Sequence, residues 1–249
     1  MINLKTNEEI AIMAAGGKVL KTIADQVETH IKPGVTTREI DQVAEKLLTK
    51  YGAEASFKKV KGYKYATCLP VNKQAVHTPP SSYVLKEGDS VTLDIGAYYK
   101  GFHTDYAVTV AVGRVDDKVA KFLDIGRKTL DSALKMVKSG EYLGTIAKFI
   151  QSEIESSGYF ILKDLTGHGI GRELHEDPYV LNYLDRPIEK TYQIQPGFVM
   201  ALEIIYSMGT EKIAYEPGNS WSIIAADRSI AACFEKTIAV SDKKTFILT

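Results

Sequence analysis

Apolar residues along this chain recur at helical spacing in some stretches and run almost unbroken in others. Ile10, Met13, Val19, Leu20 and Ile23 make one apolar stripe. Thr6-Asn7-Glu8-Glu9 in front of it has the form of a capping box, so the pattern predicts an amphipathic helix from Asn7 to about Thr29. After a break at Lys32-Pro33-Gly34, Thr36-x-x-Glu39 opens a second helix with Ile40, Val43, Leu47 and Leu48 on one face, stopped by Gly52. Two further helices are predicted from about Asp117 to Lys138 and from Gly144 to Ser157. Strand-like stretches follow each helix pair. They are Val71 to His77, stopped by Pro79-Pro80; Ser90 to Val112, two strands joined at Lys100-Gly101; Phe198 to Tyr206; and Ser229 to Val240. Helix pair then strands, twice over, predicts an α/β architecture.

Carboxylates interrupt these strands where apolar residues are expected. Asp94 sits between Leu93 and Ile95, and Glu203 and Glu235 lie inside the last two strands. An isolated buried charge costs many kcal/mol unless it is paired or metal-bound. A two-residue turn at Lys100-Gly101 sets Asp94 opposite Ala107 and Asp105 opposite Gly96, which places both aspartates on one face. A cation between them is the simplest reason for that placement; a register slip or a bulged loop would separate them.

The pattern also repeats. Gly34 and Gly140, like Gly52 and Gly158, are 106 positions apart, whereas Gly17 and Gly126, Gly88 and Gly197, and Asp94 and Glu203 are 109 apart. This predicts a single domain of two pseudo-symmetric halves, about 1–113 and 114–249, with Asp94 and Glu203 at equivalent places and brought together at a pseudo-twofold axis. Asp105 and Glu235 are expected to be the second equivalent pair, separated by a longer insertion in the second half.

Composition narrows the function classes. With 45% apolar and 25% charged residues the chain reads as soluble and globular, and 31 basic against 31 acidic residues leave no global field for nucleic acid or an anionic membrane. MINLKTNEEI has no signal-peptide pattern and no stretch approaches a transmembrane helix, so a cytoplasmic location is expected. The two cysteines, Cys68 and Cys233, form no CxxC. The basic, aromatic stretch from Phe57 to Tyr65 reads as a solvated loop in preference to a nucleic-acid contact, and His30 as a surface residue.

His168 lies in Thr166-Gly167-His168-Gly169-Ile170-Gly171, where glycines allow close backbone approach. Four strand carboxylates and one imidazole together suit two divalent ions such as cobalt, manganese, iron or zinc. His77 and His175 are candidates for transition-state hydrogen bonding, His103 is assigned no role, and packing is the expected task of Cys233. HExxH, GxSxG, a Walker loop and GxGxxG are all absent.

The series Asp94, Asp105, His168, Glu203 and Glu235, with VNKQAVH, GHGIGRELHEDP and the segment Trp221 to Glu235, resembles the type I methionine aminopeptidases over nearly the whole chain. The resemblance implies the pita-bread fold, two αβ halves with a central curved antiparallel sheet flanked by helices, and a dinuclear metal centre. It implies that Asp94 ligates one ion, Asp105 and Glu235 bridge both, and His168 and Glu203 complete the other. Glu203 would also exchange protons with the reacting water, and His77 and His175 would hold the substrate amide and the developing oxyanion. Tyr63, Cys68 and Trp221, completed by Leu174 and Ile205, match a methionine side-chain pocket. The implied partners are N-terminal Met-containing nascent peptides and proteins, with transient ribosome contact, no membrane or specific nucleic acid, and a monomeric state.

The chain departs from that family's pattern at Thr78-Pro79-Pro80 after His77, Leu174, Ile204, Lys236 and Gly96, none of them a ligand. These departures leave two rival readings: a pita-bread aminopeptidase of altered specificity, X-Pro-directed for example, and a non-catalytic peptide-binding or ribosome-associated homologue.

Overall fold

The computed structural model describes residues 2–249. Helix α1 spans Asn7–Glu28 and α2 spans Thr37–Lys50, each opened by the threonine–glutamate capping box read from the sequence. In α2 the Thr36 Oγ1 accepts from Glu39 N at 3.2 Å and Glu39 Oε2 accepts from Thr36 N at 2.7 Å, satisfying two N–H groups that have no partner inside the helix. α3 (Asp117–Met136) begins at an Asp116 cap and ends two residues before the expected Lys138, and α4 spans Leu143–Ser156.

The strands are β1 (Glu54–Ala55), β2 (Thr67–Cys68), β3 (Gln74–Val76), β4 (Ser90–Tyr99), β5 (Phe102–Ala111), β6 (Phe160–Ile161) and β7 (Gly167–Gly169). They continue with β8 (Glu176–Val180), β9 (Val199–Ser207), β10 (Ile213–Tyr215), β11 (Ile223–Ala225), β12 (Ala231–Val240) and β13 (Thr245–Ile247). The main sheet has ten strands along the path β1-β4-β5-β12-β9-β7-β8, with β2 on β4, β6 on β9 and β13 on β12; β10, β11 and β3 form a separate three-stranded sheet. The turn between β4 and β5 has two residues, Lys100 (φ 48°) and Gly101 (φ 92°), and fixes the expected register, Asp94 opposite Ala107 and Gly96 opposite Asp105.

Alternation then divides the sheet into two faces. Val91, Leu93, Ile95 and Ala97 pack with α1 and α2, while Met200, Leu202, Ile204 and Tyr206 pack with α3 and α4. The helices therefore cover one face, and the strand carboxylates emerge on the other. This is the pita-bread arrangement.

Matched backbone features recur at the spacing noted in the sequence. Gly34 and Gly140 have φ of 89° and 84°, and their N–H groups donate to Leu85 and Ile194, each at 2.8 Å. Gly126 allows close approach of α3 to β9, where a Cβ would meet Tyr206 Oη at 2.2 Å, whereas a Cβ at Gly17 would meet Leu248 O, just beyond β13, at 2.3 Å.

One expected equivalence is corrected by the register. Gly88 N donates to Val112 O and Gly197 N to Val240 O, so β5 maps onto β12 with a separation of 128. The mate of Glu235 is therefore Ala107, since Asp94 pairs with Ala107 and Glu203 pairs with Glu235. The mate of Asp105 is Cys233, opposite Ile205 as Asp105 is opposite Gly96. Asp105 and Glu235 are neighbours on adjacent strands without being equivalent.

Candidate metal centre

Two rows of side chains cross the open face of the sheet. The first runs Cys68, Asp94, Ala107, Glu235, Glu203 over β2, β4, β5, β12 and β9. In the second, Gly96 pairs with Asp105 and His168 pairs with Ala201, which is opposite Thr237. The small residues in these rows leave space above the backbone for the carboxylates and the imidazole to converge. Side-chain donor atoms of Asp105, His168 and Glu235 all lie within 4.8 Å of one another. His168 Nε2 is 3.7 Å from Glu203 Oε1 and 4.0 Å from Glu235 Oε1.

The electrostatics of this group are unbalanced. No lysine or arginine lies in ion-pair range of the four carboxylates among the described residues. Burial, followed by repulsion from the neighbouring carboxylates, holds Asp94, Glu203 and Glu235 well above the usual carboxyl range, and burial pushes Asp105 up to about 7. Burial also pushes His168 down to about 3, which keeps the ring neutral. Its Nδ1 lies 2.8 Å from Gly169 O, so the proton belongs on Nδ1 and the Nε2 lone pair faces the carboxylates. An oxygen-rich donor set with one oriented imidazole and no protein cation fits divalent metal ions.

Two thiols flank the group. Cys68 is opposite Asp94, and Cys233 Sγ is 3.9 Å from Glu203 Oε2. Burial raises both thiols well above their ordinary range, so they remain protonated donors beside the carboxylates.

The carboxylates floor a cavity of about 120 Å³ whose apolar side is made by Phe57, Val60, Tyr63, Cys68, Leu174 and Trp221. The Tyr63 and Trp221 rings meet edge to face at 5.1 Å. His77 and His175 border this cavity and a wider adjoining one of about 450 Å³, and Ile205 lines only the wider space.

Residues 11–242 match the sequence pattern of metallopeptidase family M24. The chain belongs to this family. It is 37% identical over its full length to methionine aminopeptidase 1 of Bacillus subtilis, covering 99% of that protein. The crystal structure of methionine aminopeptidase from Thermotoga maritima superposes with a TM-score of 0.96 at 36% identity, over 100% of this chain and 99% of that one. A Xaa-Pro dipeptidase from Bacillus anthracis is more distant, with a TM-score of 0.77 at 26% identity over 99% of this chain and 61% of its own.

In this M24 chain the structure gathers Asp94, Asp105, His168, Glu203, Glu235, His77 and His175 around one cavity, with Tyr63, Cys68, Leu174 and Trp221 on its wall; Ile205 stands apart from that wall. His77 adopts φ 59°, a left-handed backbone that turns its ring to the cavity mouth. Desolvation of the ring against the cavity walls, and the charge of His175 second, lower its pKa. His175 packs edge-on to His168 with ring centroids 4.4 Å apart. The loop carrying it is tied by Glu176, whose Oε1 accepts from Arg172 N at 2.8 Å and whose Oε2 pairs with Lys5. His103 is buried away from the cavity against Ser56 and Tyr98.

Phe57 and Val60 were hidden within a stretch that reads as a solvated loop. Lys58, Lys59, Lys61 and Lys64 are indeed exposed, but Phe57 and Tyr63 are buried. The signal that could have exposed the wall is the three-residue spacing of Phe57, Val60 and Tyr63 between the lysines.

Proposed function

We propose that this M24 protein is a metal-dependent aminopeptidase that removes the initiator methionine from nascent proteins, with residues about 1–113 and 114–249 acting as halves of one catalytic unit. The observation that carries the reading is the convergence of five donors at the floor of a narrow apolar cavity, with Asp105, His168 and Glu235 buried and Asp94 and Glu203 partly so. In this reading Asp94, Asp105, His168, Glu203 and Glu235 would together hold two divalent ions, cobalt, manganese, iron or zinc. When bound, they supply Lewis-acid polarisation of the scissile carbonyl and a water acidic enough to react at neutral pH.

The chain's own residues do the rest. The wall of Tyr63, Cys68, Leu174 and Trp221 takes the methionine side chain and excludes water from it. Tyr63 Oη donates to Thr67 O at 2.8 Å, leaving its ring as an apolar surface. His175 donates an N–H to the developing oxyanion and His77 holds the substrate amide; both rings have lowered pKa values and so are neutral donors. Glu203 accepts a proton at its carboxylate and returns it to the leaving amine. Ile205, in the wider cavity beyond His77 and His175, faces the residue after methionine.

No helix among the described residues is long and apolar enough to cross a membrane. A cytoplasmic monomer that meets its substrates as they leave the ribosome, without binding nucleic acid specifically, is consistent with this reading.

Likeness to the Xaa-Pro dipeptidase from Bacillus anthracis favours a second reading, a proline-directed peptidase. Metal analysis combined with hydrolysis of Met-Ala-Ser separates the possibilities. Release of methionine that stops with a chelator and returns with divalent ions is expected. No cleavage with both ions bound would replace the proposal with a peptide-binding module.

A further inference from the structure

Strands β5 and β12 form direct ladder pairs at Ala107–Glu235 and Tyr106–Lys236. One step onward the same register sets Asp105 opposite Thr237, and there the strands are joined through a hydroxyl group. Thr237 Oγ1 accepts from Asp105 N at 2.8 Å and donates to Asp105 O at 2.9 Å. Thr249 supplies a second bridge: its Oγ1 accepts from Thr237 N at 2.9 Å and donates to Asp105 O at 3.0 Å. Leu248 N, donating to Thr237 O at 2.8 Å, keeps this segment against β12. All three bridged residues are buried.

The sheet contains the same device at the symmetry-related place. Thr109 Oγ1 accepts from Cys233 N and donates to Cys233 O, both at 2.9 Å. Thr109 and Thr237 are 128 positions apart, the separation that maps β5 onto β12. One bridge therefore stands behind Asp105 and its twin behind Cys233, and the extra hydroxyl of Thr249 is found only behind Asp105.

We propose that Thr237 and Thr249 are positioning residues for Asp105. Inserting hydroxyl groups between the strands sets how far β5 stands from β12 beside the point where the Asp105 and Glu235 side chains converge. That spacing governs how well the two carboxylates can share metal ions, so these hydroxyls act on metal affinity through Asp105. The inference rests on the reading of Asp105 as a ligand. Thr109 performs the same backbone task for a protonated thiol, which makes it an internal control.

The test is calorimetric titration of manganese(II) chloride into the metal-free full chain, with melting curves taken on the same samples. Thr237→Val and Thr109→Val each remove one bridging hydroxyl and should both lower the melting temperature, Thr109→Val additionally by stranding the buried Thr92 hydroxyl 2.8 Å from Thr109 Oγ1. Thr237→Val and Thr249→Val should weaken manganese binding by about 10–100-fold, the usual effect of losing a partner that orients a ligand. Thr109→Val should leave the affinity unchanged, and Thr237→Ser should restore it. Equal manganese affinities in Thr237→Val and Thr109→Val overturn the proposal, and if Thr237→Val does not fold, an unchanged affinity in Thr249→Val does so. Unchanged manganese binding in Asp105→Asn would instead overturn the ligand reading itself.

Discussion

Asp94 and Glu203, 109 positions apart in the chain, stand in one row on β4 and β9, with Ala107 and Glu235 between them. The halves of the chain contribute equivalent carboxylates to this row and non-equivalent residues to its middle. Were the repeat exact, position 107 would also carry a carboxylate and position 105 a thiol. The asymmetry brings Asp105 and Glu235 side by side on neighbouring strands and moves the excess of donors to the side where His168 stands.

Such a cluster repels itself until cations neutralise it. Asp94→Asn should therefore have opposite effects on the two forms of the protein. At pH 8 in chelator the variant should melt higher than the unsubstituted chain, each 1 kcal/mol of relieved repulsion being worth about 2–4 °C for a protein of this size. With divalent ions present it should bind fewer of them and melt lower. Calorimetry with and without chelator reads both effects, and a lower melting temperature in both conditions would mean that the carboxylate is structural.

The pH dependence of the metal-free form follows from two opposed sets of groups. His77, His103, His168 and His175 have lowered pKa values, so they favour folding as pH rises towards the unfolded histidine value of about 6.5. The four carboxylates are raised, with Asp105 at about 7, so their stabilising contribution is present below the unfolded carboxyl range and is lost as pH rises through their folded values. The two sets offset each other in acid. Above about 6.5 the histidines no longer offset the carboxylates, so the melting temperature of the metal-free protein should fall as pH rises through about 7, where Asp105 titrates. Saturating divalent ions should flatten the curve; a flat curve in chelator would contradict the unbalanced charge.

His175 tests the division of labour between binding metal and stabilising charge. It borders the cavity on a loop tied by Glu176, outside the carboxylate rows. His175→Ala should lower kcat by about 10²-fold or more, the usual loss for one oxyanion donor, while metal content stays unchanged. Loss of metal from this variant would make His175 a ligand.

Local chemistry made much of this legible in the sequence. Capping boxes fixed where α1 and α2 begin, and Lys100-Gly101 fixed the β4–β5 register and so the shared face of Asp94 and Asp105. The pairing of β12 with both β5 and β9 is non-local, and no turn residue encodes it. A match between two carboxylates therefore suggested Asp105 and Glu235 as equivalents, where the glycine hydrogen bonds align Asp105 with Cys233. The cavity wall was obscured for a different reason. Lys58 and Lys59 give the segment a solvated character although its apolar residues turn inward.

In the proposed reading, selectivity depends on that wall. Phe57, Val60, Tyr63, Leu174 and Trp221 present apolar surface, with Cys68 as a soft, polarisable contact suited to a thioether. An apolar pocket separates near-isosteres by only about 1–3 kcal/mol, so N-terminal norleucine or leucine should be released slowly and a charged residue rejected. Trp221→Ala opens the wall without touching the carboxylates. It should raise KM for Met-Ala-Ser and reduce the advantage of methionine over leucine, with metal content unchanged. Profiling X-Ala-Ser and Met-X-Ser peptides on both proteins reads this directly. An unaltered profile in Trp221→Ala would place the methionine side chain elsewhere. A preference for proline in second position, whatever residue comes first, would favour the proline-directed reading, because specificity would then be set beyond His77 and His175, where Ile205 lies.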